Sequence, residues 1–234
     1  MPSQNGGISD ALDEQAVAKL ILNPNGKGVN AARTGAGGHS VHLLPLTPSP
    51  LDATINSMLM KEETTMERKI TIKGSPFTLI GNPLKVGDVA PDAELTANDW
   101  SSARLSDYAG KPRLLNIVNS LDTSICDAQT HKFNEEATKL GKDVVVLTIS
   151  ADLPSTQKRW CGASGLSNVI TLSDHRALAF ADAYGVHLKE RRVTGRAVFV
   201  VDKAGVVRYV EYAPEISSHP NYDAALAALK QVAA

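Results

Sequence analysis

The stretch Asn119–Cys126, NSLDTSIC, holds one of only two cysteines in a chain of 234 residues. It follows the apolar run Leu114–Val118 and precedes a run of helical periodicity that ends near Gly141. A cysteine where a strand gives way to a helix falls within the helix's first turn. Unpaired backbone N–H groups and the helix dipole favour negative charge there, and the thiolate is the nucleophilic form of the side chain. Ser124 as N-cap with Asp127 three residues on fits a capping pair, and Thr123 is the competing cap. Cys126 also leads the spacing Cys126, Thr130, Phe133, Ala137, Leu140, one stripe of an amphipathic helix. Free cysteines are often buried, so position alone leaves two readings open: a reactive thiol and an inert core residue.

Thr123 places a hydroxyl one helical turn before the sulfur. That matters when the electrophile is an O–O bond. Attack on one oxygen requires the other to leave as an oxyanion or to take a proton, and positioned donors stabilise that developing charge. Backbone N–H groups of the helix start and an arginine would serve. Arg196 precedes the apolar run AVFVVD, and from spacing alone it reads as an ordinary surface arginine.

The elements that must position these residues are legible as a series. RKITIKG and PFTLIG flank Gly74-Ser75 with period-2 apolar patterning, an N-terminal β-hairpin. KVGDVAPDAELT reads as a loop with a short strand, and RLLNIV as a buried strand. DVVVLTIS is β-branched and buried in character. LPSTQKRWCGASG is a short helix with Pro154 in its first turn and glycines at its end. NVITLS is a strand, RALAFADAYG a helix, AVFVVD-KAG-VVRYVEY a hairpin and NYDAALAALKQVAA a C-terminal helix. The order β-α-β-α-β-α-β-β-α predicts an α/β domain, a central mixed β-sheet flanked by helices on both faces. No phosphate-binding loop or dinucleotide fingerprint follows a strand, and GAGGHS lacks the needed spacing.

Composition narrows the function classes. Hydrophobic content of 43% and charged content of 21% suit a globular chain with a core. A net charge of −1 supplies no basic field, so neither nucleic acid nor a membrane surface is expected as a partner. No apolar run reaches the ~18 residues of a membrane-spanning helix. Two cysteines are too few for a disulfide framework, and the histidines, His39 and His42 among them, do not complete a metal site. No cofactor and no metal are expected. A reducing compartment, the cytoplasm, suits free thiols.

The chain changes character near Met66. Residues 1–65 contain no aromatic residue and are rich in Gly, Asn, Pro and Ser, with one short helix in DALDEQAVAKLIL. Such a segment cannot offset its ordering entropy, so 1–65 is expected to be a low-complexity, disordered extension and 66–234 the folded domain. Lys61-Glu62-Glu63 can be encoded by a purine-rich sequence of the ribosome-binding type shortly before the Met66 codon. Two explanations are open: a translation start at Met66, or a genuine extension.

The sequence resembles the thiol peroxidase subfamily of peroxiredoxins, the atypical two-cysteine type, over nearly all of 66–234. The matching pieces are GNPLKVGDVAPD, LNIVNSLDTSICDAQTHKFNEEA, VLTISADLPSTQKRWCGASGLSNVITLSD, AYGV, GRAVFVVD and NYDAALAALK. The resemblance implies a thioredoxin-like fold and reduction of hydrogen peroxide and alkyl hydroperoxides. It makes Cys126 the peroxidatic cysteine, Cys161 in RWCG the resolving cysteine, and Thr123 and Arg196 active-site residues. It also implies a Cys126–Cys161 disulfide, thioredoxin as the reductant and a homodimer. Such a disulfide between two helices needs local unfolding, which Gly162 and Gly165 near Cys161 would ease.

Two features depart from the family pattern. Asn119 stands where the pattern P-x-x-x-T-x-x-C has proline, and the segment between Tyr184 and Arg196 is shorter than usual. The groups that act on peroxide remain, so activity is expected to survive, with the thiolate's environment or its resistance to over-oxidation altered. A thiol–disulfide oxidoreductase is disfavoured because no second cysteine follows Cys126 closely. A catalytically impaired redox sensor or binding module is the alternative, on the strength of Asn119. If translation starts at Met66, intact-mass measurement of the native protein will give a chain lacking residues 1–65, and a mass that includes Met1 overturns that start.

Overall fold

The computed structural model describes residues 66–234 apart from 142, 167 and 168. The extension 1–65 and its expected short helix lie outside the described residues. The first turn of the described chain is two residues long. Strands β1 (Glu67–Ile72) and β2 (Ser75–Ile80) pair antiparallel with Ile72 opposite Ser75. Lys73 and Gly74 between them have φ of 50° and 76°, as a type I′ hairpin turn requires. The hairpin stands, with its turn one residue earlier than the expected Gly74-Ser75.

The central sheet has seven strands. They are β3 (Glu94–Thr96), β4 (Ser102–Arg104), β5 (Arg113–Ile117), β6 (Val145–Ser150), β7 (Ile170–Ser173), β10 (Ala197–Val201) and β11 (Val207–Tyr212). Across the sheet the order is β11-β10-β5-β6-β7-β3-β4. The neighbours β5, β6 and β7 run parallel, while β10 is antiparallel to both β5 and β11. Every residue of β5, β6 and β10 is buried, which is why they read as continuous apolar runs rather than alternating ones.

Helices α1 (Ser124–Thr138), α2 (Pro154–Ser164), α3 (Ala179–Ala183) and α4 (Tyr222–Ala233) complete the fold. Successive strand residues point to opposite faces. Leu114, Val146, Val198 and Val200 pack with Phe133 of α1 and Ala225, Leu226 and Leu229 of α4. Leu115, Leu147, Ile149 and Phe199 pack instead with Phe180, Ala181 and Tyr184 around α3. Aromatic rings line that second face, with centroid distances of 4.1 Å for Phe180–Tyr184, 5.2 Å for Tyr184–Phe199 and 5.4 Å for Phe199–Tyr212. Each such buried side chain contributes roughly 1.5–3 kcal/mol.

Several expectations are corrected in detail. The helix expected over RALAFADAYG is only Ala179–Ala183. Its approach is irregular, since Leu178 has φ of 56° and the Asp174 carboxylate takes the N–H groups of Phe180 and Ala181. β8 (His187–Leu188) and β9 (Val193–Thr194) were not expected at all. Two residues are too few to show a period of two. Together with β1 and β2 they form a second sheet, β1-β2-β8-β9. β4 was likewise missed, and α1 ends at Thr138, ahead of Gly141.

Asp174 is buried at the end of β7. Burial pushes its pKa up to about 6, against the lowering pull of the Ala181 and Phe180 N–H groups. The folded chain therefore holds this proton more tightly than the unfolded chain between about pH 4 and 6. The stability that this group contributes is present in acid and lost as pH rises through about 6. Comparing denaturant unfolding at pH 4.5 and 7.5, Asp174→Asn is expected to shrink the alkaline loss by on the order of 2 kcal/mol. An identical pH dependence in both proteins would refute the assignment.

Candidate active site

The loop between β5 and α1 is pinned to the end of β6. Ser120 Oγ donates to Asp152 Oδ1, and Leu121 N and Ser150 Oγ donate to Asp152 Oδ2, each at 2.8 Å. The first helical bond runs from Asp127 N to Thr123 O at 2.9 Å, so Thr123 is the N-cap and Cys126 lies in the first turn. The pairing of Ser124 with Asp127 is corrected: a start one residue earlier carries Asp127 beyond the N3 position. Its carboxylate instead accepts from Trp160 Nε1 at 2.9 Å. The Thr123 hydroxyl donates to Ser120 O at 3.0 Å.

Cys126 is fully buried. Arg196 is 2% exposed, so the reading of it as a surface arginine is wrong. Its Nη2 lies 3.3 Å from Cys126 Sγ. Nε donates to Ile216 O at 2.7 Å and Nη1 donates to Gln129 Oε1. Gln129 Nε2 in turn donates to Asn116 Oδ1 at 2.5 Å, and Asn116 Nδ2 reaches Thr130 Oγ1 and Thr148 Oγ1 at 3.1 Å each. Thr130 Oγ1 closes the path by donating to Cys126 O at 2.9 Å. The guanidinium thus faces a carbonyl, an amide oxygen and the sulfur. A buried cation with neutral oxygen partners favours an anion at its remaining contact.

Arg196 reaches this position through the β8–β9 hairpin and the glycine that follows. Gly195 N donates to Val186 O at 2.6 Å, and a Cβ on Gly195 would come within 2.8 Å of Leu79 Cδ2. Thr194 Oγ1 donates to Val118 O at 2.6 Å, and Asn119 Nδ2 donates to Thr194 O at 2.9 Å. The amide of Asn119 therefore ties the arginine segment to the loop that carries the cysteine. A proline could not make this bond.

Asn119, Thr123 and Arg196 line one cleft of about 490 Å³, together with Phe77, Ile125 and Ile216. Cys161 lies on α2, half-buried, and both cysteines are free. Its Sγ is 3.6 Å from Asn98 Nδ2 and 3.4 Å from Thr171 Oγ1. α2 ends at Gly165 with φ of 70°. Cys126 and Trp160 share a small apolar cluster with Val118 and Leu121, and Cys161 packs against it. The structure thus brings Cys126, Arg196 and the cleft wall bearing Thr123 together, and holds Cys161 on the neighbouring helix against other partners.

Sequence reasoning missed Asn116, Gln129, Thr148 and Asp152 as parts of the site. One signal was available: Asn116 is a polar residue in the middle of the apolar run RLLNIV, and a buried amide needs partners. Asn98 and Thr171 carried no signal, because only the fold brings them to Cys161.

Parallel strands β5-β6-β7 bordered by the antiparallel pair β10-β11, with a cysteine at the start of the helix after β5, define a thioredoxin-like fold of the peroxiredoxin kind. The family model described as Redoxin matches residues 85–226. A thiol peroxidase of Listeria monocytogenes (serotype 4b, strain F2365) is 54% identical over 163 residues, 70% of this chain and 98% of the relative. A thiol peroxidase of Bacillus subtilis (strain 168) is 52% identical over 162 residues, 69% of this chain and 96% of the relative. The crystal structure of a peroxiredoxin-like protein from Aquifex aeolicus superposes with a TM-score of 0.66 at 37% identity, covering 72% of this chain and 98% of that one. The chain belongs to the Redoxin family and, within it, to the thiol peroxidases. It is an oxidoreductase with peroxidase activity.

Gln129→Leu leaves Arg196 Nη1 without its amide partner. A hydrogen bond to a charged group contributes about 1.5–3 kcal/mol, so the second-order rate with hydroperoxide is expected to fall by about 10- to 100-fold. Stopped-flow measurement on the folded variant checks this, and a parental rate would show that Gln129 does not hold the guanidinium.

Proposed function

We propose that this chain reduces hydroperoxides through Cys126, with Cys161 as the resolving cysteine and a thioredoxin-type dithiol as the reductant. The observation that carries this reading is the Arg196 guanidinium, 3.3 Å from a fully buried sulfur at a helix start. A peroxide entering the cleft presents one oxygen to the Cys126 sulfur and the other to Arg196, replacing the direct contact between the two. Cys126 attacks one oxygen, the S–O bond forms and the O–O bond breaks. The other oxygen leaves as an alkoxide or hydroxide, stabilised by Arg196 and helix N–H groups, and takes a proton to become alcohol or water. The cleft wall formed by Phe77, Ile125 and Ile216 suits an alkyl group on the peroxide.

Cys126 is then a sulfenic acid. Cys161 condenses with it to form an intramolecular disulfide and water, and an external dithiol reduces that disulfide through a mixed disulfide. Among the described residues no helix is long and apolar enough to cross a membrane. The cycle draws on a reducing dithiol pool, which the cytoplasm supplies. A homodimer, with apolar residues beside the cleft in the contact, belongs to the same reading. Asn119 was the feature that favoured an impaired sensor or binding module. Its bond to Thr194, beside Arg196, supports the reading of Asn119 as part of a working site.

Stopped-flow tryptophan fluorescence of the reduced protein with cumene hydroperoxide tests the proposal, because Trp160 adjoins Cys161. A fast change is expected. It should vanish in Cys126→Ser, and mass analysis should find a Cys126–Cys161 disulfide in the parent. Cys161→Ser should stall at the sulfenic acid and fail to turn over with thioredoxin. The absence of thiol oxidation at high peroxide would return the binding-module reading.

A further inference from the structure

Beyond the reacting groups, the two cysteine-bearing helices meet through the residues next to the thiols. Asp127 directly follows Cys126, and Trp160 directly precedes Cys161. The indole Nε1 donates to Asp127 Oδ1 at 2.9 Å, a charge-assisted bond between α1 and α2. His131, one turn along α1, sets its ring edge-on to the indole at 5.6 Å. Trp160 is 8% exposed and sits in the cluster that contains Cys126. A second link, Arg159 Nη2 to Asp122 Oδ2 at 3.1 Å, is exposed and adds little.

The two sulfurs are engaged by different partners. Sγ of Cys126 faces Arg196, whereas Sγ of Cys161 faces Asn98 and Thr171. Joining them requires each sulfur to leave those partners. The Asp127–Trp160 bond joins the two helices at the residues next to the thiols.

We propose that Asp127 and Trp160 are positioning residues for the disulfide step, forming a clasp that couples release of Cys161 to unwinding at Cys126. The inference rests on the reading of Cys161 as the resolving thiol. While α1 is wound, Asp127 holds the indole, and Trp160 keeps its neighbour Cys161 in place. When the first turn of α1 unwinds after oxidation, Asp127 swings away and the indole loses its acceptor. Trp160 then leaves the cluster and carries Cys161 with it. In the bond-forming step Cys161 sulfur attacks the Cys126 sulfur and the S–O bond breaks. The hydroxyl departs as water with the proton of the Cys161 thiol. Peroxide, already consumed in forming the sulfenic acid, is the oxidant. The clasp sets how long the sulfenic acid persists, and so its exposure to a second peroxide that would carry it to sulfinic acid.

Three variants test the clasp. Trp160→Phe keeps an aromatic ring and deletes the N–H; Asp127→Ala deletes the acceptor; Asp127→Asn keeps an acceptor oxygen without the charge. Each reduced protein is mixed with cumene hydroperoxide, acid-quenched at intervals and analysed by mass for sulfenic acid, disulfide and sulfinic acid. The readout is the partition between disulfide and sulfinic acid across a peroxide series. Loss of one charge-assisted bond is expected to raise the disulfide rate about 10-fold and to raise by the same factor the peroxide needed for half over-oxidation. Asp127→Asn should fall between Asp127→Ala and the parent. An unchanged or slower disulfide step in both Trp160→Phe and Asp127→Ala would overturn the clasp. A parent that forms no Cys126–Cys161 disulfide would instead overturn the resolving role itself.

Discussion

One buried cation organises the site. The Arg196 guanidinium is almost fully removed from water, and its donors meet Ile216 O, Gln129 Oε1 and Cys126 Sγ. Burying such a charge is expensive unless every donor is used and an anion lies close by. Two neutral oxygens take part of the demand. The Cys126 sulfur is the third contact. The cation beside Cys126 is therefore held at the start of a neighbouring strand, β10, and not only by the helix that carries the cysteine.

That cation must arrive from far away in sequence, and several elements exist to deliver it. The β8–β9 hairpin sets the direction of the chain, and Gly195 lets it pass against Leu79. Thr194 and Asn119 stitch it to the end of β5. On the other side Gln129, Asn116, Thr130 and Thr148 form a satisfied amide and hydroxyl path through α1, β5 and β6. Such a path is rigid because each member would be an orphaned polar group if any other moved. A fixed guanidinium can lower the barrier for a developing oxyanion without reorganising during the reaction.

Rigidity around Cys126 contrasts with the setting of Cys161. The second thiol is half-buried near a helix end that closes on a left-handed glycine, and its polar neighbours are a loop amide and a strand hydroxyl. One cysteine is enclosed by a fixed polar path and the other sits against side chains of a loop and a strand. In the proposed cycle both conditions are needed, because the two sulfurs are engaged by different partners in this state.

Much of this was legible in the residues. Long apolar runs for β5, β6 and β10, the helical stripe from Cys126 to Phe133 and the caps and glycines at the ends of elements are local patterns. Local patterns determine which segments become strand or helix and put Cys126 at a helix start. The hairpin β8–β9 escaped because strands of two residues carry no period. Spacing alone read Arg196 as a surface residue because charge predicts exposure, and only the family resemblance pointed to the site; Asn116 was folded into an apolar run in which it was the clue. Asn119 stood out as a departure, yet its bond to Thr194 could not be seen. By itself the sequence determined the longer elements and the place of Cys126 at a helix start. Only the tertiary structure decided which distant donors surround the sulfur, because hydrogen-bond partners on other strands are chosen by sheet order and close packing, and neither is written in the spacing of residues along the chain.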